Sequence, residues 1–238
     1  ALLTSYPLGF SAYALTYDAG ADQAYVSGAD ADHFVRINLG TGAVDDLGSK
    51  VSNARGLALD AAGGKLYVSE FSLHQVAVLA LPGLQRLAVF STLPFSTGTS
   101  FAAQGPGDLA LLSQGRLMVG LYRRLLVMNA ANGALMDFDD GVSSEETDKL
   151  KIRALPDGRA LVVSAGTDPE GFVWSDGIRD RGVSVKLPSS GGADGNASSA
   201  LAINPSGGGW VGNAQALDAG SITLPVLSPV ISWGTAVL

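Results

Sequence analysis

The chain is 238 residues long, 47% hydrophobic and only 16% charged, with a formal net charge of −7 and no cysteine. So little charge beside so much apolar content excludes a disordered chain, and the missing sulfur excludes disulfides, thiolate metal sites and cysteine nucleophiles. Nucleic-acid binding is excluded too, because it needs a basic footprint and Arg123-Arg124 is the only adjacent basic pair.

No apolar run approaches the roughly 18 residues of a membrane span, so no membrane insertion is expected. The chain opens at Ala1 with no charged segment leading into an apolar one. This is expected to be a processed or excised start, the chain being part of a longer product or assembly.

In chain order, Leu2-Leu3-Thr4-Ser5-Tyr6 is a strand-like opening, and after it one pattern recurs five times. Each copy reads as an apolar strand, a glycine-bearing turn and an apolar strand, followed by a second hairpin. The first strands, A, carry Tyr13-Tyr17, Leu57-Leu59, Leu109-Leu112, Ile152-Leu155 and Leu201-Ile203. The turns after them carry Gly20, Gly63-Gly64, Gly115, Gly158 and Gly207-Gly208-Gly209. Hairpin turns require positive φ, which glycine adopts without steric cost.

The second strands, B, centre on Val26, Val68, Val119, Val162 and Val211, spaced by 42, 51, 43 and 49 residues. The third strands, C, read Phe34-Leu39, Val76-Leu81, Leu125-Met128, Phe172-Trp174 and Ser221-Leu224. The fourth, D, read Ala43-Leu47, Gln85-Phe90, Ala134-Phe138, Val183-Leu187 and Val230-Val237. A period of about 40–50 residues built from four short strands is that of propeller blades. Strands apolar on both faces, such as Leu66-Tyr67-Val68, suit sheets packed between two neighbours.

The expected fold is therefore all-β, a β-propeller of about five four-stranded antiparallel blades in a single domain, 1–238. The blades are expected at 11–50, 51–105, 106–150, 151–199 and 200–238. Residues 1–10 are expected to be a closing strand. The alternative is part of a six- or seven-bladed propeller, in which the opening strand is the trailing edge of a lost blade.

The phrase Ala54-Arg55-Gly56-Leu57-Ala58-Leu59-Asp60 followed by Gly64-Lys65-Leu66-Tyr67-Val68-Ser69 resembles a blade of the YVTN/NHL class of propellers. Ala24-Tyr25-Val26-Ser27 and Val35-Arg36-Ile37-Asn38-Leu39-Gly40-Thr41-Gly42-Ala43-Val44 are similar. The resemblance implies the fold, but that class includes surface-layer proteins, ligand-binding modules, lactonases and lyases, so it does not select an activity. Gluconolactonase-like relatives hold a divalent metal with carboxylates and amides at the channel mouth. Here the residues near the starts of the inner strands are Tyr13, Arg55, Asp108, Arg153 and Ala200. One carboxylate against two arginines is a poor cation site.

Asp137 to Asp148 is the densest acidic stretch, but its glycine, Gly141, comes one place too early for a calcium loop. A solvated loop explains it. His33 and His74 occupy comparable B–C positions, with Asp30, Asp32 and Glu70 nearby in sequence. Zinc would need more of them assembled than spacing can show. No serine-nucleophile elbow of the form Gly-x-Ser-x-Gly occurs. Gly191-Gly192-Ala193-Asp194-Gly195 lacks the lysine of a phosphate-cradling loop. Asn196-Ala197-Ser198 is a glycosylation sequon, which leans towards a secreted location.

The resulting expectation is a non-catalytic binding or assembly module without cofactor, its loops recognising a protein or glycan partner. Candidate binding residues are Arg55 and Arg153 at the channel mouth, with Asp32, His33, Glu70, His74 and Arg123 among the loops. The alternative is a metal-assisted hydrolase or lyase of the lactonase-like propeller type.

Overall fold

The computed structural model describes residues 5–28, 32–96, 105–122, 124–139, 150–155, 158–164, 170–174, 181–186, 198–203, 208–213 and 220–223. From residue 164 onward it describes the backbone alone. The strands form consecutive antiparallel sheets. The first contains β1 (Ala12–Asp18), β2 (Gln23–Gly28), β3 (Phe34–Asn38) and β4 (Val44–Asp46). The second contains β5 (Ala54–Asp60), β6 (Lys65–Glu70), β7 (Gln75–Ala80) and β8 (Gln85–Ser91).

The third contains β9 (Leu109–Leu112), β10 (Arg116–Leu121), β11 (Arg124–Asn129) and β12 (Leu135–Asp139). The fourth contains β13 (Leu150–Ala154), β14 (Ala160–Ser164), β15 (Glu170–Trp174) and β16 (Arg181–Lys186). Three strands of a fifth follow, β17 (Ser198–Ile203), β18 (Gly208–Asn213) and β19 (Gly220–Thr223). The strand expected over Val230-Val237 lies outside the described residues.

Side chains alternate across each sheet, so a strand with apolar residues at every position feeds two cores. In the second blade Leu66, Val68, Ala77 and Leu79 pack towards the first, against Ala14, Tyr25 and Phe34. Their neighbours Tyr67, Val76 and Val78 pack towards the third, against Leu117, Val119, Leu126 and Met128. Met118, Leu125 and Val127 continue the pattern against Leu150, Ile152 and Val162 of the fourth. The inner strands β1, β5, β9, β13 and β17 touch in that succession.

Polar ties reinforce these cores. Ser27 Oγ, at the end of β2, accepts from Ala14 N within its blade and donates to Arg55 O of the next. Ser69 repeats the device, accepting from Gly56 N and donating to Gly107 O at 2.7 Å. The third blade has Gly120 at this place, and Asp108 supplies the tie: its Oδ2 accepts from Ile152 N at 2.9 Å. At the opposite end of the blades, Tyr67 Oη donates to Ala130 O at 2.9 Å. Gly56 itself has no room for a side chain, because a Cβ would overlap Gly107 O.

Residues 5–11 contain no strand. Tyr6, Leu8 and Phe10 instead lie over Ala24, Val26, Val35 and Ile37, on the face of the first blade turned away from the second. Tyr6 Oη donates to Leu39 O at 3.1 Å. On that same face Leu15 and Tyr17 keep 61% and 47% of their surface exposed.

Candidate binding face

Antiparallel order fixes which connections share an end of the molecule. Each inner strand starts, each second strand ends, and each third strand starts at one end. The longer B–C and D–A connections therefore gather there, while the tight A–B and C–D turns gather at the other. Asp32, His33, Glu70, His74 and the starts of β5 and β13 all belong to the loop-bearing end.

Near the centre of that end, Tyr13 of β1 is the hub. The Arg55 guanidinium carbon lies 5.1 Å from the Tyr13 ring centroid and 5.2 Å from that of Phe71. The Lys151 ammonium lies 3.7 Å from the Tyr13 centroid, and Lys151 is only 5% exposed. Cations over aromatic faces attract the ring quadrupole, most strongly where water is excluded. Three blades thus contribute to one cation–aromatic cluster. Arg153 joins a different contact: its Nη1 is 2.7 Å from Asp108 Oδ2, and Asp108 is 1% exposed.

Residue type and spacing along the chain point to Arg55 but not to Lys151. Register explains the omission. Leu57 pairs with Val68, Leu109 with Val119 and Ile152 with Val162. Lys151 therefore stands at the position of Asp108, and Arg153 lies two residues further along β13. Aligning the blades on these apolar residues would have exposed Lys151.

Glu70 is fully buried. Its carboxylate is gripped by Arg86 Nη1 and Nη2 at 2.7 and 2.8 Å, by Gln75 Nε2 at 2.6 Å and by Ser52 N at 2.9 Å. Burial alone would push this carboxyl up, but Arg86, the Ser52 amide and Gln75 together hold it below its ordinary value. A depressed carboxyl pKa contributes stability above the ordinary glutamate range, and that stability is lost as pH falls through the depressed value. Glu70 thereby ties β6 to β8 within one blade. Beside it, Asp32, Lys50, Ser52, Leu73 and Arg86 line an open groove of about 320 Å³.

Asp32 has φ 63° and its carboxylate accepts from Asn53 N at 3.0 Å. His33 stacks on Phe10 with ring centroids 4.7 Å apart. His74 is 3% exposed and takes a left-handed conformation, φ 52°, at the turn into β7. The two histidines are thus engaged by different surroundings. Among the described residues no group of three or more His, Asp or Glu side chains is placed to hold a metal. Arg123, Asn196 and residues 140–148 of the acidic stretch lie outside the described residues. Among the described residues no helix is long and apolar enough to cross a membrane.

The sequence matches no family model, and no curated protein matches it. Solved structures do resemble it. The WD40 beta-propeller domain of Doa1 is 13% identical with a TM-score of 0.58, over 84% of this chain and 59% of that one. The RRP9 WD40 repeats are 16% identical with a TM-score of 0.60, over 85% and 57%. A streptogramin B lyase is 11% identical with a TM-score of 0.62, over 89% and 65%. The chain thus spans less than two thirds of the length of each of these structures. At such identities the likeness shows architecture, and it agrees with the sheets described above: the chain is an all-β propeller built from four-stranded antiparallel repeats.

Proposed function

We propose that this propeller is a non-catalytic binding or assembly module whose loop-bearing face recognises a protein or glycan. The observation that carries the reading is the cluster of Arg55, Lys151, Tyr13 and Phe71 beneath the loops. Rigid strands position it, and flat rings with adjacent cations suit carbonyl-bearing, anionic or sugar groups.

The test screens peptide and glycan arrays with the whole chain, then measures each hit against Arg55→Ala, Arg153→Ala and, at the opposite end, Gln85→Ala. The hits are expected to weaken at least about tenfold with either arginine removed, a loss of about 1.4 kcal/mol. Gln85→Ala should bind as the parent does. Unchanged affinity in both arginine variants would remove these residues from the binding face.

A second reading, a metal-assisted hydrolase or lyase, draws on the likeness to the streptogramin B lyase. Elemental analysis after dialysis, with a lactone-opening assay, decides between them. A stoichiometric divalent ion with turnover would replace the first reading.

A further inference from the structure

Arginine has a long side chain with many rotamers, and fixing it only when a partner arrives costs affinity. Arg55 is fixed beforehand. Besides the rings of Tyr13 and Phe71, its guanidinium meets Asn53, the residue immediately before β5. Arg55 Nε donates to Asn53 Oδ1 at 3.3 Å. Arginine has donors and no acceptor, so the amide oxygen of Asn53 must be the atom that faces it. The amide nitrogen is left for another partner, and Asn53 Nδ2 donates to Ser72 Oγ at 2.9 Å.

The backbone of Asn53 is tied as well. Its φ is 46°, in the left-handed region that asparagine enters more readily than most residues with a side chain. Its N–H donates to Asp32 Oδ1 at 3.0 Å, and its carbonyl accepts from Phe71 N at 3.1 Å. One residue thus holds the B–C connections of the first and second blades together with the arginine. Phe71 is hemmed in further, because a Cβ on Gly105 would overlap the Phe71 carbonyl oxygen. Counting back from Leu57 and Leu109, Gly105 of the third blade stands at the place of Asn53 and Gly107 at that of Arg55. That blade has neither a guanidinium to orient nor an amide to orient it.

We propose that Asn53 is the positioning residue of the binding face. It holds Arg55 over the Tyr13 and Phe71 rings before a partner arrives, so the partner meets a finished surface. This assignment rests on the loop-bearing face being the binding surface, and within it Asn53 acts through Arg55. Two substitutions separate its side chain from its backbone. Asn53→Gly removes the amide while adopting the same φ without steric cost. Asn53→Asp keeps an oxygen for Arg55, now as a charge-assisted acceptor, and tolerates the left-handed region as asparagine does.

Nitrogen-15 NMR of the whole chain reads the Arg55 Nε–Hε signal, assigned by its loss in Arg55→Lys. In the parent the two rings should displace it from the position of a solvated arginine. Asn53→Gly should return it to that position, and Asn53→Asp should keep it displaced. Asn132→Gly, which removes the acceptor of Ala134 N in a turn at the opposite end, should leave it where the parent has it. A merely structural role would lower the melting temperature of Asn53→Gly and leave the signal displaced, which overturns the assignment. So does Asn53→Asp behaving as Asn53→Gly does. For array hits that Arg55→Ala weakens, Asn53→Gly should weaken binding about three- to tenfold. Unchanged affinity there overturns the assignment and leaves the reading of the face intact. Should Arg55→Ala weaken no hit, the reading of the face fails, and the Arg55 signal still decides whether Asn53 holds that side chain.

Discussion

The junction between the second and third blades and the junction between the third and fourth solve the same problem with different chemistry. In the first, the Ser69 hydroxyl accepts from Gly56 N and donates to Gly107 O. In the second, Gly120 leaves that place empty, and the Asp108 carboxylate reaches Ile152 N and Arg153 instead. A hydroxyl both gives and accepts, so it closes its bonds with neutral backbone partners. A carboxylate accepts only, and once buried it needs a cation as well as an amide. Arg153 is therefore bound to the choice of Asp108. Where position 120 lacks a hydroxymethyl group, an ion pair takes part in the tie between the blades.

The strongest test of that contrast removes the charge. Asp108→Ala leaves the Ile152 amide buried without its acceptor and Arg153 without its carboxylate, and is expected to cost about 2–4 kcal/mol in denaturant unfolding. A cost below that of the serine change would mean the third junction rests on its apolar core alone. Ser69→Ala should cost about 1–2 kcal/mol, because the lost bonds are neutral and Gly56 N retains Gly107 O at 3.1 Å. The smallest effect is expected from Gly120→Ser. A Cβ there meets nothing closer than 3.4 Å, so stability should stay within about 0.5 kcal/mol of the parent. In the Asp108→Ala background the same substitution should recover about 1 kcal/mol if a hydroxyl can replace the carboxylate. Thermal melts of the single and double variants measure it.

The contrast also shows which features could be read from residues alone. Blade spacing was legible because valine at the centre of β2, β6, β10, β14 and β18 and glycine at the turns repeat, and repetition survives differences in loop length. Strand limits follow closely from the apolar runs: Leu109-Leu112 is an uninterrupted apolar run and coincides with β9. The ties were not legible, because they depend on which side chains approach across sheets. Glu70 read as a loop carboxylate, yet Arg86, 16 residues later, closes on it from the outer strand. Arg153 read as the start of its strand, whereas β13 begins at Leu150 and makes Lys151 the neighbour of Tyr13. An irregular entry into a strand shifts register by an amount that composition does not encode, and a shift of one residue reverses the face presented.

Lys151 resting on Tyr13 has a consequence for access. The first and fourth blades meet through this pair, with Arg55 of the second over the same ring. At this level the described residues of three blades close on one ring, which gives the loop-bearing face a cation–aromatic floor. A visitor arriving between the loops is met by that floor, so recognition by this cluster depends on the group it lowers onto the Tyr13 ring and its two cations.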